Sequence, residues 1–277
     1  MPAILPVNEV VRQARVGDAR SASARIGAMS AAARMLGVAR SLAMYYGIPL
    51  RARRLRRFYS QFVTRETLCF DVGAHAGNRV RCWRQLGARV VAIEPQPDFV
   101  RLLTWLFGRD SGVEIVPLAV GREAGTAELY VSERTPTVTT LSRDWVTSVQ
   151  RDPRFAGVSW SPGKRVEVVT LQSLIERYGE PAFVKIDVEG FEAEVLAGLT
   201  TPVRALSFEY LPATRGVALE CVDRLAALGL YRYNWSPGES HRFAIEHWVD
   251  AAEIRARIEE LPPLASSGDV YALRDGA

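Results

Sequence analysis

Cysteine and histidine are scarce in this sequence, and their scarcity excludes several kinds of site. The 277 residues include three cysteines and three histidines, which lie far apart in the chain: Cys69, Cys82, Cys221, His75, His241 and His247. The cysteines form no C-x-x-C pair. We therefore expect neither a disulfide framework nor a structural zinc site, and the expected compartment is the reducing cytoplasm.

Long apolar runs are missing as well. No stretch approaches the roughly eighteen uninterrupted apolar residues that a membrane-spanning helix needs. The beginning of the sequence has no compact apolar segment followed by a small-residue cleavage site, so a secretory signal is not expected. Residues 10–40 are rich in Arg, Ala and Ser and poor in acids. An organellar transit peptide has a similar composition, and composition is the only support for that alternative.

The net charge of +4 is distributed unevenly along the chain. Residues 1–65 contain twelve arginines but only two acids, Glu9 and Asp18, which gives this segment a charge of +10. The rest of the chain therefore carries a charge of −6. A mildly acidic body argues against a nucleic-acid groove across it, so nucleic acid is not expected as a partner.

Residues 1–64 are predicted to form a basic, mainly helical N-terminal extension, and residues 65–277 a single domain. Leu55, Phe58, Tyr59 and Phe62 have the spacing of one helix face, while the neighbouring arginines lie largely off it. This apolar stripe either packs on the body, which we favour, or makes weak contact with an anionic membrane surface. The oligomeric state cannot be predicted from these patterns.

From position 68 onward, short apolar runs alternate with helical patterns. The predicted strands are Leu68–Val72, Arg89–Ile93, Glu114–Val120, Ala182–Ile186, Ala205–Phe208, Tyr231–Trp235 and Asp269–Arg274. The predicted helices are Val80–Leu86, Pro97–Phe107, Phe191–Leu199, Leu219–Leu228 and Ala251–Glu260. Such alternation predicts an α/β fold with a Rossmann-like, mostly parallel, doubly wound sheet. In addition, Gly125–Ser132 alternates like an exposed strand, and Arg151–Lys164 is predicted to be a loop.

The most informative segment reads Phe70-Asp71-Val72-Gly73-Ala74-His75-Ala76-Gly77-Asn78, from the end of a strand into a helix. Gly73 and Gly77 allow a sharp turn and a close approach to a ligand. Asp71 is placed to accept hydrogen bonds from an ammonium group. The next strand ends in Glu94, an acid suited to binding a ribose diol. Together these features predict a cofactor that contains adenosine.

The spacing of the loop distinguishes between such cofactors. A dinucleotide fingerprint, G-x-G-x-x-G, would place its last glycine at position 78, where Asn78 stands. The sequence Gly73-x-His75-x-Gly77 is closer to the G-x-G-x-G of methyltransferases. We therefore expect S-adenosylmethionine as the cofactor. The alternatives are a nicotinamide cofactor or a strand-to-helix turn with two glycines and no ligand.

A second group of acids follows two later strands. Asp187 and Glu189 follow the strand that ends at Ile186, and Glu209 follows the next strand. Since parallel strands present their carboxyl ends to the same crevice, these acids are candidate catalytic residues. They could orient a nucleophile, act as a general base or hold a divalent ion, although no metal is assigned. Alternatively, Asp187 or Glu189 caps the helix that follows.

The segments FDVGAHAG, VVAIEPQPDFVRLL, EIVPLAVGREAGTAELYVS, VTLQSL and FVKIDVEGFEAEVLAGL occur in this order between Leu68 and Tyr210. Together they resemble the FkbM family of S-adenosylmethionine-dependent methyltransferases, and KIDVEGFE is the most specific piece. The resemblance implies a class I methyltransferase fold and methyl transfer to an oxygen of a small-molecule, sugar or lipid-like acceptor. It also assigns the matching site residues: Asp71, Gly73, Ala74, His75 and Gly77 to the cofactor loop, Glu94 to the ribose, and 187–190 to the acidic motif. The family usually has Asn where this chain has His75.

The expected function is thus O-methylation by an S-adenosylmethionine-dependent enzyme. Transfer of an activated methyl group requires an oxygen nucleophile in line with it, and a carboxylate can orient that oxygen or take its proton. A nicotinamide oxidoreductase on the same fold is the first alternative. A non-catalytic cofactor-binding protein is the second. A nucleic-acid methyltransferase is disfavoured because no D/N-P-P-Y-like motif or Pro-Cys nucleophile is found.

Overall fold

A computed structural model describes residues 49–132 and 138–276, so residues 1–48 of the predicted N-terminal extension lie outside the described residues. The described helices are α1 Pro49–Tyr59, α2 Asn78–Gln85, α3 Pro97–Phe107, α4 Arg143–Val149, α5 Leu171–Tyr178, α6 Glu192–Ala197, α7 Arg215–Leu228 and α8 Ala251–Glu259. The strands are β1 Leu68–Val72, β2 Arg89–Ile93, β3 Val113–Val116, β4 Ala119–Val120, β5 Gly125–Ser132, β6 Trp160–Val169, β7 Phe183–Ile186, β8 Ala205–Tyr210, β9 Tyr231–Pro237 and β10 Gly268–Arg274.

Seven strands form the main sheet, in the order β3-β2-β1-β7-β8-β10-β9. The first five are parallel to one another, and β10 runs antiparallel between β8 and β9. Large hydrophobic clusters cover both faces of the sheet, as its nearly continuous apolar strands require. The prediction of a Rossmann-like, mostly parallel, doubly wound sheet is therefore confirmed.

A smaller sheet, in the order β4-β6-β5, differs from the sequence-based expectation in two places. The predicted strand over residues 114–120 is divided into β3 and β4, because Pro117 between them has no N–H to donate to a neighbouring strand. β3 pairs with β2, whereas β4 pairs with β6. The predicted loop over residues 151–164 ends at Trp160, where β6 begins and pairs antiparallel with β5. Pro162 and Gly163, two of the residues that suggested a loop, lie within β6, the central strand of the smaller sheet, whereas Pro153 and Gly157 precede it.

Helix α1 packs its apolar stripe on the main sheet. Leu55, Phe58, Tyr59 and Phe62 are all buried, and they contact aromatic residues of β7, β10 and α2. Arginines 53, 54 and 57 are exposed. The stripe is thus part of the core, while membrane contact through the arginines and the division of the chain at residue 64 stay predictions. No helix in the described part of the chain is long and apolar enough to cross a membrane.

Candidate active site

The glycine loop turns sharply between β1 and α2 and lies against the end of β7. Gly73 has a φ of +83°, and a Cβ built on it would lie 1.9 Å from the backbone oxygen of Asp187. The N–H groups of Gly73 and Ala74 both donate to the carbonyl of Ile93 at the end of β2, over 2.9 and 3.0 Å. Only glycine fits at position 73, because a side chain there would separate two neighbouring strand ends.

Glu94 is a buried carboxylate held by backbone donors. Its Oε2 accepts the N–H of His75 over 2.9 Å, and its Oε1 accepts the N–H of Gln96 over 2.8 Å. Burial raises the pKa of Glu94 to about 7, although these two hydrogen bonds oppose the shift. A carboxylate has about four lone-pair positions, so two remain for hydroxyl groups such as those of a ribose.

Asp71 lies at the end of β1, next to the first turn of α2. Burial raises the pKa of Asp71 to about 7, against the opposing effect of Arg79, Lys185 and a hydrogen bond from the backbone of Val80. At neutral pH this carboxyl is therefore close to its own pKa. A bound ammonium group would favour its charged form.

His75 and Gly77 serve the turn through their backbone. His75 has a φ of 47°, and its ring lies 3.6 Å from the ring of Phe99, centroid to centroid. Burial lowers the pKa of His75 to about 4, so the imidazole is neutral at neutral pH. Gly77 does not line the cavity described below; a Cβ there would lie 2.5 Å from Phe107. Its conformation lets α3 pack closely on the start of α2.

The three predicted catalytic acids come together at the carboxyl ends of β7 and β8. Asp187, Glu189 and Glu209 each have a carboxylate oxygen within 4.8 Å of the others. Burial raises the pKa of both Glu189 and Glu209 well above the usual range, and the neighbouring carboxylates raise it further. Oxygen ligands in this arrangement could hold a divalent cation, or share protons among themselves.

Lys185 is a site residue that the sequence analysis missed. Its ammonium is 1% exposed and contacts Asp187 Oδ2 at 3.1 Å and Asp269 Oδ1 at 3.0 Å, while it donates to the carbonyl of Ile186 over 3.1 Å. Burial alone would lower the pKa of Lys185, but the two carboxylates outweigh burial and raise it. All three of its N–H donors are thus used inside the protein. The lysine fixes the position of the Asp187 carboxylate.

Glu192 holds the loop between β7 and α6. Its Oε1 accepts the N–H groups of Val188 and Gly190, over 3.1 and 3.2 Å. Phe191 is the N-cap residue of α6 and makes no side-chain cap, so capping by Asp187 or Glu189 is not what places those acids. Gly190 has a φ of +86°, and a Cβ on it would fall on the ring of Trp145. Helix α4 therefore closes over this loop.

One cavity connects the two groups of residues. It encloses about 1110 Å³ of space free of protein atoms, part of which is open to solvent. We call the part lined by Asp71, Gly73, His75 and Glu94 the cofactor end, and the part lined by Asp187, Glu189 and Glu209 the acidic end. The unused acceptor positions of Glu94 and the buried acid Asp71 fit a nucleoside that carries an amino group.

Other residues that line the cavity were also not predicted from the sequence. Arg79 and Glu239 face each other in the cavity wall, and Thr139, Thr140 and Leu141 come from the segment between β5 and α4. Lys185 had a signal that could have been used, since it is one of only two lysines in the chain and stands in a buried strand. Asp269 and Glu239 had none, because Asp269 lies on β10, which pairs with β8, and Glu239 follows β9, which pairs with β10.

The fold and the site together define a Rossmann-like protein with a cavity at the carboxyl ends of β1, β2, β7 and β8 that is lined by several buried acids. Residues 71–260 match the model of the methyltransferase FkbM domain. The chain belongs to this family of S-adenosylmethionine-dependent methyltransferases. The predicted family and cofactor are therefore confirmed.

Three similar proteins are methyltransferases. The hexuronic acid methyltransferase AglP of Haloferax volcanii is 26% identical over 166 residues, which are 58% of this chain and 61% of AglP. A TehB-like methyltransferase of Corynebacterium glutamicum has 11% identity and a TM-score of 0.46, over 87% of this chain and 96% of that one. An O-methyltransferase of Bacillus cereus in complex with S-adenosylhomocysteine has 10% identity and a TM-score of 0.44, over 97% and 100%. The chain thus spans less than two thirds of the length of AglP.

Proposed function

We propose that this protein transfers a methyl group to a hydroxyl oxygen of a small, sugar-like acceptor. The observation that carries the proposal is the single cavity, in which the cofactor end and the acidic end meet where Gly73 contacts Asp187. S-adenosylmethionine supplies an electrophilic methyl group when it is bound. The name of AglP, a hexuronic acid methyltransferase, supports a sugar-like acceptor. A lipid-linked sugar belongs to the same class.

Asp187 is proposed to orient the acceptor hydroxyl. Its carboxylate is held by Lys185 on one side and is about one third exposed on the other, so it can accept a hydrogen bond from a bound hydroxyl. Orientation of this kind removes much of the entropic barrier to methyl transfer. Because burial and mutual repulsion raise the pKa of Glu189 and Glu209, either is a better proton acceptor than an ordinary carboxylate.

The test combines transfer of a radiolabelled methyl group from S-adenosylmethionine with a panel of neutral, amino and uronic acid sugars, free and lipid-linked. Once an acceptor is found, Asp187→Asn is expected to lower turnover by about 100-fold or more, as for loss of a catalytic acid or base. Its affinity for S-adenosylhomocysteine, measured by calorimetry, is expected to stay within about threefold. Near-normal turnover in this variant would remove Asp187 from catalysis.

Treatment with a chelator distinguishes whether Asp187, Glu189 and Glu209 hold a divalent cation or act without one. If a divalent cation were held by Asp187, Glu189 and Glu209, treatment of the unmodified protein with a chelator would abolish turnover, and added cation would restore it. Turnover that survives the chelator supports the orientation of the hydroxyl by Asp187 without a metal.

A further inference from the structure

Arg79 is a cation in the wall of the cavity that neither the glycine loop nor the acidic motif explains. It stands in the first turn of α2, its side chain is only 11% exposed, and it lines the cavity together with Asp71. A buried guanidinium requires anionic partners, because burial without them strongly disfavours its charge. The partners that the protein supplies therefore decide what else Arg79 can bind.

The described residues satisfy only part of the hydrogen-bonding capacity of the Arg79 guanidinium. Arg79 Nη2 lies 3.8 Å from Glu239 Oε1, a distance longer than a hydrogen bond, and the Glu239 side chain is half exposed. In the part of the chain that the structure describes, Arg79 Nε is buried and has no acceptor within hydrogen-bonding distance. An unpaired buried donor is costly, and the planar fork of arginine is suited to a carboxylate.

Other charges around Arg79 keep it ionised. Burial alone would lower the pKa of Arg79, but the carboxylates of Glu239, Asp269 and Asp187 outweigh burial and raise it. In turn, Arg79 holds the pKa of Glu239 at about 2. Arg79 and Asp71 both line the cavity, and Asp71 accepts a hydrogen bond from the backbone N–H of Val80, the residue that follows Arg79.

We infer that Arg79 binds the carboxylate at the amino-acid end of the cofactor, beside the ammonium group bound by Asp71. The inference rests on the proposed binding of S-adenosylmethionine in this cavity. The amino-acid end of that molecule carries an ammonium and a carboxylate on one carbon atom. Asp71 and Arg79 present opposite charges to the same end of the cavity, while Glu94 is placed for the ribose. The site is thus complementary to a zwitterion.

Two ligands that differ only at this end provide the test. S-adenosylhomocysteine carries the amino-acid group, whereas 5′-methylthioadenosine keeps the adenosine and the sulfur but lacks that group. Both are titrated calorimetrically into the full-length protein and into Arg79→Gln. The variant is expected to bind S-adenosylhomocysteine about 10- to 100-fold more weakly, the usual effect of losing charge-assisted hydrogen bonds. Its affinity for 5′-methylthioadenosine is expected to stay within about threefold.

Two further variants test whether the effect is specific to Arg79 and to its planar guanidinium. Arg84→Gln is the matched control, since Arg84 lies on the same helix, is paired with Asp110 and does not line the cavity. It is expected to bind both ligands as the unmodified protein does. Arg79→Lys keeps the charge but loses the planar fork, so an intermediate loss for S-adenosylhomocysteine is expected. Normal binding of 5′-methylthioadenosine also shows that each variant is folded.

Several outcomes would overturn the inference. Equal weakening of both ligands in Arg79→Gln would mean that Arg79 only supports the fold through Glu239. An unchanged difference between the ligands would remove Arg79 from the cofactor; loss of glucuronate binding in the same variant would then assign it to an acidic acceptor. If the unmodified protein bound neither nucleoside, the cofactor site itself would be wrong. That failure differs from the failure of the Arg79 inference because it would already be seen in the unmodified protein.

Discussion

At the cofactor end of the cavity, backbone atoms make most of the polar contacts, whereas at the acidic end side chains make them. Glu94 is held by two backbone N–H groups, and the glycine loop is fixed by the carbonyl of Ile93. Asp187 is instead held by Lys185, which in turn depends on Asp269. The glycine turn at the cofactor end therefore depends on its backbone conformation, while the arrangement of the acidic end depends on each charged partner.

The largest effect is expected from Lys185→Met, which removes the central cation of the acidic end. Asp187 and the buried Asp269 would lose their shared partner, and breaking a buried ion pair in this way costs about 3–5 kcal/mol of unfolding free energy. Urea denaturation measures this loss. Lys164→Met is the matched control, because Lys164 is the other lysine of the chain and is exposed. Similar stabilities of the two variants would contradict the role given to Lys185.

Gly73→Ala tests the cofactor end, since it adds one methyl group to the backbone turn there. Its Cβ would lie 1.9 Å from the oxygen of Asp187, at a φ of +83°. Crowding and the left-handed conformation together cost about 2–4 kcal/mol. We expect urea denaturation to show this loss and calorimetry to show no binding of S-adenosylhomocysteine. Gly125→Ala, with no atom within 4 Å of the added Cβ, should change neither quantity.

The same contrast explains which parts could be predicted from the sequence. β1, β2 and the loop between β1 and α2 follow from local patterns, because strand, turn and helix are contiguous in the chain. The ion pairs of Lys185 depend on β10 lying beside β8, a tertiary pairing that no local pattern encodes. Pro117 marks the break between β3 and β4, but the partner strand of β4 comes from much later in the chain.

The affinity of the cofactor end for its ligand is expected to depend on pH between 6 and 8. Asp71 and Glu94 both have a pKa of about 7, because burial favours their neutral forms. The ionised fraction of such a group rises from about one tenth at pH 6 to about nine tenths at pH 8. Since an ammonium group binds the ionised form of Asp71, ionisation of Asp71 alone is expected to raise the affinity for S-adenosylhomocysteine by about tenfold over this range.

Calorimetry at the two pH values measures this change, and Asp71→Asn is the control. With Asn at position 71, only the contribution of Glu94 remains, so the rise in affinity should become smaller. An affinity that falls with increasing pH in the unmodified protein would contradict the assignment of Asp71 to an ammonium group. Without ligand, a rise in pH has the opposite effect on the free energy of unfolding, which falls. Carboxyls with a raised pKa in the folded state reduce stability as the pH rises from about 4 toward 7.

The smallest effect is expected from His75→Asn, although His75 stands in the middle of the cofactor loop. The structure uses its N–H, which donates to Glu94, and its φ of 47°, a conformation that Asn adopts more readily than most residues. The loss of unfolding free energy is therefore expected to be smaller than for His75→Ala, although both variants lose the packing of the imidazole on Phe99. The affinity for S-adenosylhomocysteine should stay within about threefold. His75→Ala keeps the N–H but lacks a preference for this conformation, so a loss of about 1 kcal/mol is expected. If His75→Asn lost more than about tenfold in affinity, the imidazole would have to contact the cofactor, and the loop would depend on this side chain as well as on its backbone.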